Sequence, residues 1–397
     1  MKYIIYIGVL FMPDKNAAAR RALAFAKIIR QLGYIPIIIG MNKEIKKENI
    51  LMTLQENKDY ILYEMKYPNT VFSWLKTITN CKSIIDIINY YGNENIKAII
   101  GMDYFSVAFW KLMKYCKHNN IRCIADAVDW FEKSKYSFPK NIIKNLDTCI
   151  RMKILYKEID YMIAISQFLY NYYKNKKSIV IIPGIVPDIK INKNEEYKAS
   201  KIIKLAFIGS PGNNFEKERI DWLMHSIGEL DPKGKKIKFY IAGVDKHIIL
   251  EKAKKIISED NYENTVVPLG KLKHNECINL LKKVDFSIII REDNILSKAG
   301  FPTKLGEAFS CGTPVFATPT SNIKDYILQD YGVVTENCTL IEVKNSLSKI
   351  LLMSIQEREK MHNAIKNYNP LYNKKIVTRI NIKNIDKIMR EIYGRYI

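Results

Sequence analysis

The chain has 397 residues, enough for two ordinary domains that each bury a core. With 48% hydrophobic and 26% charged residues it is globular in composition, which excludes a disordered chain. The formal net charge of +22 asks for an anionic partner, and nucleic acid, an anionic membrane face and a phosphorylated small molecule all qualify. A genome-level bias toward Lys, Ile and Asn codons accounts for the same excess without any partner. The seven Cys are odd in number and form no CxxC pair, so neither a disulfide framework nor a zinc site is signalled, and a reducing cytoplasm suits them.

The first element has two readings. Lys2, the apolar run 3–11 and Ala17-Ala18-Ala19 imitate a secretory leader. A buried strand feeding a helix explains them better: Ala22, Phe25, Ala26 and Ile29 recur at helical spacing, and Gly33 stands where a helix stops. Further strands are predicted at 34–39, 96–101, 121–125, 161–165 and 179–182, most of them continuous Ile-rich runs of the kind covered on both faces. The stretch 43–67 reads as a variable peripheral region. No apolar stretch approaches the roughly 20 residues of a spanning helix, so a soluble or peripherally attached protein is expected.

Pro183-Gly184 ends a strand, and the polar, aperiodic stretch 188–200 reads as an interdomain linker. Alternation then restarts, with strands predicted at 204–209, 238–243, 265–269, 285–290 and 314–318 and helices between them, for example 274–283 and 303–311. The expected architecture is α/β, with two doubly wound Rossmann-like domains, 1–185 and 186–365, joined by a linker at about 186–200 and followed by a helical tail, 366–397. From about Lys374 the tail is basic and amphipathic, with Ile385, Ile388, Met389 and Ile392 on one face. Packing back onto the N-terminal domain is the expectation, and docking on a membrane surface is the alternative.

In open α/β sheets ligands bind beyond the carboxyl ends of the strands, where glycine turns let helix N-termini face anions. Gly209-Ser210-Pro211-Gly212 follows the first strand of the second half, with Lys217 close behind. It is not a Walker A loop, and a strand-to-helix turn needs glycine for shape alone. The richest segment runs from Arg291-Glu292-Asp293 to Phe301-Pro302-Thr303-Lys304, Glu307 and Cys311-Gly312-Thr313-Pro314-Val315. Pro302 places Thr303 and Lys304 at a helix start, where free N–H groups and a cation converge on the place a diphosphate would fill. Glu307, one turn on, has the acceptor oxygens for two ribose hydroxyls; a surface Lys–Glu pair is the plainer reading.

The segment 300–315 resembles the donor-site signature of retaining glycosyltransferases of family 4, which have the GT-B fold of two Rossmann-like domains facing a cleft. Gly209 to Lys217 is similar to that family's glycine loop, Pro13 to Arg20 with Asn16 to its N-terminal loop facing donor and acceptor, and Ala164-Ile165-Ser166 to the step before its hinge. The resemblance implies a nucleoside-diphosphate sugar held by the C-terminal domain through Gly209, Gly212, Lys217, Arg291, Pro302, Thr303, Lys304 and Glu307. The cations would neutralise the leaving diphosphate, Arg291 among them in a catalytic role, so that no metal or cofactor is required. The signature's first Glu falls on Ala299 in this chain, so the carboxylate at the sugar end is absent or comes from elsewhere. In the N-terminal domain Asp126 and Asp129, after a strand end, are the catalytic candidates; a helix cap is the competing role.

The expected function is transfer of a sugar from a nucleoside diphosphate to a hydroxyl of a glycan, glycolipid or protein, with retention. Assembly of a bacterial surface polysaccharide or glycolipid is the expected setting, in the cytoplasm or peripherally at the anionic inner face of the membrane. A GT-B sugar-nucleotide epimerase and a non-catalytic binder of nucleotide or nucleic acid are the alternatives. The dispersed basic residues form no recognisable RNA-binding motif, so nucleic acid is not an expected partner.

Overall fold

The computed structural model describes residues 1–13, 15–45, 55–56, 59–130, 138–186, 196–257 and 259–367. The predicted tail helix and its packing lie outside these residues, as does most of the predicted linker. The chain divides into two compact units, with the division at 187–188.

The N-terminal unit carries β1 (Tyr3–Gly8), β2 (Ile35–Asn42), β3 (Gln55–Glu56), β4 (Ile61–Lys66), β5 (Ile96–Met102), β6 (Arg122–Ala127), β7 (Tyr161–Ala164) and β8 (Ser178–Ile181). They form one sheet in the order β3-β4-β2-β1-β5-β6-β7-β8. All neighbours are parallel except β3, which runs antiparallel to β4. The N-terminal apolar run is therefore a central strand, with Ile4, Ile5, Tyr6 and Ile7 fully buried. The helix Ala17–Gln31 follows, its first turn capped by the Asn16 side chain, which accepts from the Ala19 N–H at 2.9 Å. Its periodic residues Ala22, Phe25, Ala26 and Ile29 are buried in the core over β1, and a side chain such as Phe25 contributes about 2 kcal/mol by burial. The stretch expected to be peripheral supplies β4, which pairs with β2 along its whole length. Its mixed sequence hid it, because only one end of the strand is buried.

The C-terminal unit carries β9 (Ile203–Ile208), β10 (Ile237–Ala242), β11 (Val266–Gly270), β12 (Phe286–Ile289), β13 (Val315–Ala317) and β14 (Gly332–Val334). The sheet is parallel throughout, in the order β11-β10-β9-β12-β13-β14. The three-residue β14 was too short to carry a periodic signal. A buried ion pair closes this unit: Arg358 donates to Asp285 at 2.7 Å and to the Ser200 carbonyl at 2.7 Å, tying its last described helix to the sheet.

Among its parallel strands each sheet reverses its order once, between β1 and β5 in the first and between β9 and β12 in the second. Such switch points leave a crevice at the carboxyl edge, where the neighbouring connections diverge to opposite faces. At the second one the backbone approaches itself closely. Gly243, after β10, has φ +96°, and a Cβ there would lie 2.6 Å from the Gly209 carbonyl oxygen. Gly243→Ala is therefore expected to destabilise the protein by about 2 kcal/mol or more. A lowered midpoint in urea unfolding checks this; an unchanged midpoint would show that the loop yields freely.

Candidate functional site

The second switch point gathers the donor-site residues expected from the sequence. Gly209 leaves β9 with φ +132°, and a Cβ on it would stand 3.0 Å from Lys304 Cε, so the lysine stem crosses the bare glycine backbone. Lys304 is the second residue of the helix Thr303–Ser310, and its Nζ sits 3.9 Å from the centre of the Phe207 ring. Gly212 has φ +85°, and the loop closes where the Lys217 and Glu218 N–H groups donate to the Pro211 carbonyl, at 2.9 and 3.2 Å.

The organising group is Glu218, which is fully buried. Its Oε1 accepts from Arg291 Nε at 2.9 Å and Nη2 at 2.7 Å, and Lys304 Nζ lies 3.0 Å from the same oxygen. Burial alone would raise the Glu218 pKa, but Arg291 first and Lys304 second outweigh it and hold the carboxyl below its ordinary range. Burial likewise pushes Lys304 down to about 8; Glu218 opposes that fall, while Arg291 and Lys217 add to it by repulsion. Lys217 is exposed, yet near enough for its charge to reach Lys304. Thr318 clamps the Arg291 backbone, its hydroxyl accepting from the N–H at 2.7 Å and donating to the carbonyl at 2.8 Å. Two cations thus share one carboxylate, with Lys217 near Lys304, and these four groups carry a positive surplus.

Pro302 occupies the cap position of the helix Thr303–Ser310, which has no side-chain cap and no acid in its first turn. Its first N–H groups and the ammonium of Lys304 therefore add their positive character in one place. Glu307 is half-buried one turn further along. Ala299, where the family signature would place a carboxylate, ends the short helix Ile295–Ala299 and is fully buried. The neighbouring acids are engaged, Glu292 with Arg219 and Asp293 with Lys298 at 3.0 Å.

The N-terminal unit corrects two expectations. Asp126 has no exposed surface: Arg21 donates to both its oxygens, at 2.9 and 2.8 Å, and the Tyr6 hydroxyl adds a bond at 2.5 Å. Arg21 also donates to the carbonyls of Pro183 and Ile182, at 2.6 and 3.2 Å. The carboxylate expected to be catalytic is therefore a structural tie among β1, β6, the first helix and the exit of β8. Asn16, expected to face substrate, spends its side chain inside the loop, accepting from Ala19 and Phe11 and donating to the Val9 carbonyl at 3.0 Å. Pro13 and Asp129 are exposed.

Asp103, not singled out in the sequence, stands at the end of β5 with φ +41°, beside the first switch point. Burial raises its carboxyl to about 7, opposed by Arg151, whose Nε is 3.9 Å away, and reinforced by Asp129. The Tyr156 hydroxyl donates to it at 3.1 Å.

Residues 192–368 match the family described as Glycosyl transferases group 1. Sucrose-phosphate synthase from Thermosynechococcus elongatus is similar over 100% of both chains, with a TM-score of 0.68 at 11% identity. The fold is GT-B. A structure of Anabaena HepE in complex with UDP and glucose covers 98% of this chain and 100% of that one, with a TM-score of 0.61 at 12% identity. An uncharacterized glycosyltransferase of Methanocaldococcus jannaschii is 25% identical over 210 residues, 50% of this chain and 51% of that protein. The chain therefore spans about half the length of this curated relative. Together these findings show the GT-B fold and a match to Glycosyl transferases group 1 that falls in the C-terminal unit.

Glu218 escaped the sequence reading because Glu216-Lys217-Glu218-Arg219 looks like a solvated charge run.

Two substitutions separate scaffold from site. Asp126→Asn is expected to cost about 3 kcal/mol by leaving Arg21 buried without its counter-charge. Turnover per folded molecule should remain, and a large loss of kcat at unchanged stability would restore a catalytic role. For Asp103 the folded pKa lies above its ordinary 3.8, so its contribution to stability is present at low pH and lost as pH rises through about 7. The melting temperature of Asp103→Asn relative to the parent should therefore be higher at about pH 8.5 than at about pH 5.5. A difference independent of pH would show that the carboxyl ionises normally.

Proposed function

We propose that this protein transfers a sugar from a nucleoside diphosphate to an acceptor hydroxyl, with retention, as in family 4. The observation that carries this reading is the convergence of Arg291 and Lys304 on one buried carboxylate at the β9/β12 switch point. The diphosphate lies over the Gly209 turn and the start of the helix Thr303–Ser310, with Lys217 at its open side. Glu307 takes the ribose hydroxyls. As the bond from the sugar's anomeric carbon to the β-phosphate oxygen breaks, negative charge builds on the departing diphosphate. Cations already held in place stabilise that charge without reorganising, and they do so more in the transition state than in the ground state. The acceptor oxygen forms the new bond to the anomeric carbon, and its proton passes to the departing diphosphate, which leaves as the nucleoside diphosphate. Fixed cations make a metal unnecessary in this scheme, so EDTA is expected to leave the rate unchanged.

The match to Glycosyl transferases group 1 supports this reading, and so does the likeness to a structure holding UDP and glucose. The acceptor in this proposal is a glycolipid or lipid-linked glycan of surface-polysaccharide assembly, reached from the cytoplasmic face. No described helix is long and apolar enough to cross a membrane, so attachment in this scheme is peripheral.

A thermal-shift panel of nucleoside diphosphates and their sugars tests the donor site, since a ligand bound to the folded state raises the melting temperature. Lys304→Ala should lower kcat by about 10²–10³. Lys304 is charged below about pH 8 and neutral above it, so diphosphate affinity should weaken as pH rises through that value. Binding there should draw a proton from buffer, which calorimetry in buffers of different ionisation heat detects. Failure of every nucleotide to stabilise the protein, together with full activity in Lys304→Ala, would sink the assignment.

A further inference from the structure

The corner at the β9/β12 switch point holds its two cations in different ways. Arg291 is anchored twice over. Thr318 bonds both the N–H and the carbonyl of its backbone, at 2.7 and 2.8 Å, and its Nε and Nη2 donate to Glu218 Oε1. Lys304 is held more loosely. Its Nζ is sealed from solvent 3.0 Å from the same oxygen, yet that contact lacks the geometry of a hydrogen bond. An ammonium has three N–H groups to satisfy, and the face of Phe207, with its ring centre 3.9 Å from Nζ, is a weak substitute. Glu218 is served as unevenly. The contacts from Arg291 and Lys304 all fall on Oε1, while Oε2 is sealed and takes no hydrogen bond.

The pair Asp126–Arg21 in the N-terminal unit is the contrast, with hydrogen bonds on both carboxylate oxygens. A pair filled in that way resists exchange, because each partner would give up good bonds, whereas Lys304 would leave none behind. Room for movement is built into the loop. The lysine stem runs over Gly209, where a Cβ would stand 3.0 Å from Cε and 3.5 Å from Nζ. The side chain keeps 16% of its surface exposed although its tip is sealed, so the open side lies along the stem. Rotating the stem toward that side frees the ammonium without disturbing Arg291. The arginine keeps its two bonds to Oε1, and the buried carboxylate is never left without a counter-charge.

We propose that Glu218 is a resident anion that keeps Lys304 in reserve: an incoming diphosphate takes the ammonium from Glu218, and Glu218 reclaims it when the nucleoside diphosphate leaves. Glu218 is thus a positioning residue that sets how tightly the departing group is held, without touching substrate itself. The inference rests on the transferase reading for the identity of the ligand. The exchange accompanies donor binding, so Lys304 is in place before the anomeric bond breaks. Inorganic pyrophosphate is the probe, titrated calorimetrically into the full chain at about pH 6, where Lys304 is charged. Glu218→Gln should bind it about tenfold more tightly than the parent, because the competing anion is gone. Damage to the fold would weaken binding instead, so the sign separates the two, and a cooperative melting transition shows that the variant folds. A crystal structure of the parent with pyrophosphate reads the exchange directly, and it decides the matter if the Gln variant does not fold. Lys304 Nζ should lie about 3 Å from a phosphate oxygen and beyond about 4 Å from Glu218, with Arg291 still on Oε1. Lys304 still paired with Glu218 beside bound pyrophosphate overturns the proposal, as does equal or weaker binding by a folded Gln variant. Pyrophosphate binding to neither protein would overturn the donor site as well, which tells the two failures apart.

Discussion

One buried carboxylate organises the C-terminal site. Two cations drawn into a partly dry corner repel each other and lose hydration, and neither would stay there unaided. Glu218 makes the arrangement stable by taking Arg291 and Lys304 on a single oxygen. Everything around it follows from the need to bring three chain segments to that point. The β9/β12 reversal opens the space, Gly209 lets the lysine stem pass, and Thr318 pins the arginine backbone. Because the cations outnumber the acid, the corner remains attractive to a further anion.

The N-terminal unit uses the same chemistry for a different end. Asp126 also pairs with an arginine at a strand terminus, but both its oxygens are filled and nothing of it reaches solvent. A pair satisfied on every side serves rigidity and register, whereas one with surplus positive charge serves binding. Asp103 shows a third condition. It is a carboxyl held partly dry beside an arginine 3.9 Å away, on a left-handed backbone, and its proton affinity is raised to about 7. Polar residue type at a strand end does not distinguish these cases; the number of partners does.

The excess of lysine acquires a location in the same way. Counted over the chain it is a bulk property that genome bias explains as well as function does. Lys43, Lys66 and Lys140 meet at one pocket because β2, β4 and a helix start happen to end together. Their positions along the chain are too far apart for any motif to join them, and Lys66 falls in the stretch whose strand the sequence pattern concealed.

The sequence by itself determined the alternation of buried strands and amphipathic helices, since continuous Ile runs and helical spacing are local signals set by burial. It also marked Gly209, Gly212, Arg291, Lys304 and Glu307 as candidate site residues, because turn geometry and helix-start chemistry act within a few residues. The tertiary structure alone decided which charges meet. That Glu218 turns inward between Lys217 and Arg219, that Asp126 is consumed by Arg21 and Tyr6, and that Asp103 is left partly dry all depend on strand order. The fold brings together groups as much as 162 positions apart, as Arg21 and Pro183 are. The energy of a buried charge is set by those neighbours and by lost water, neither of which is written in the residues beside it.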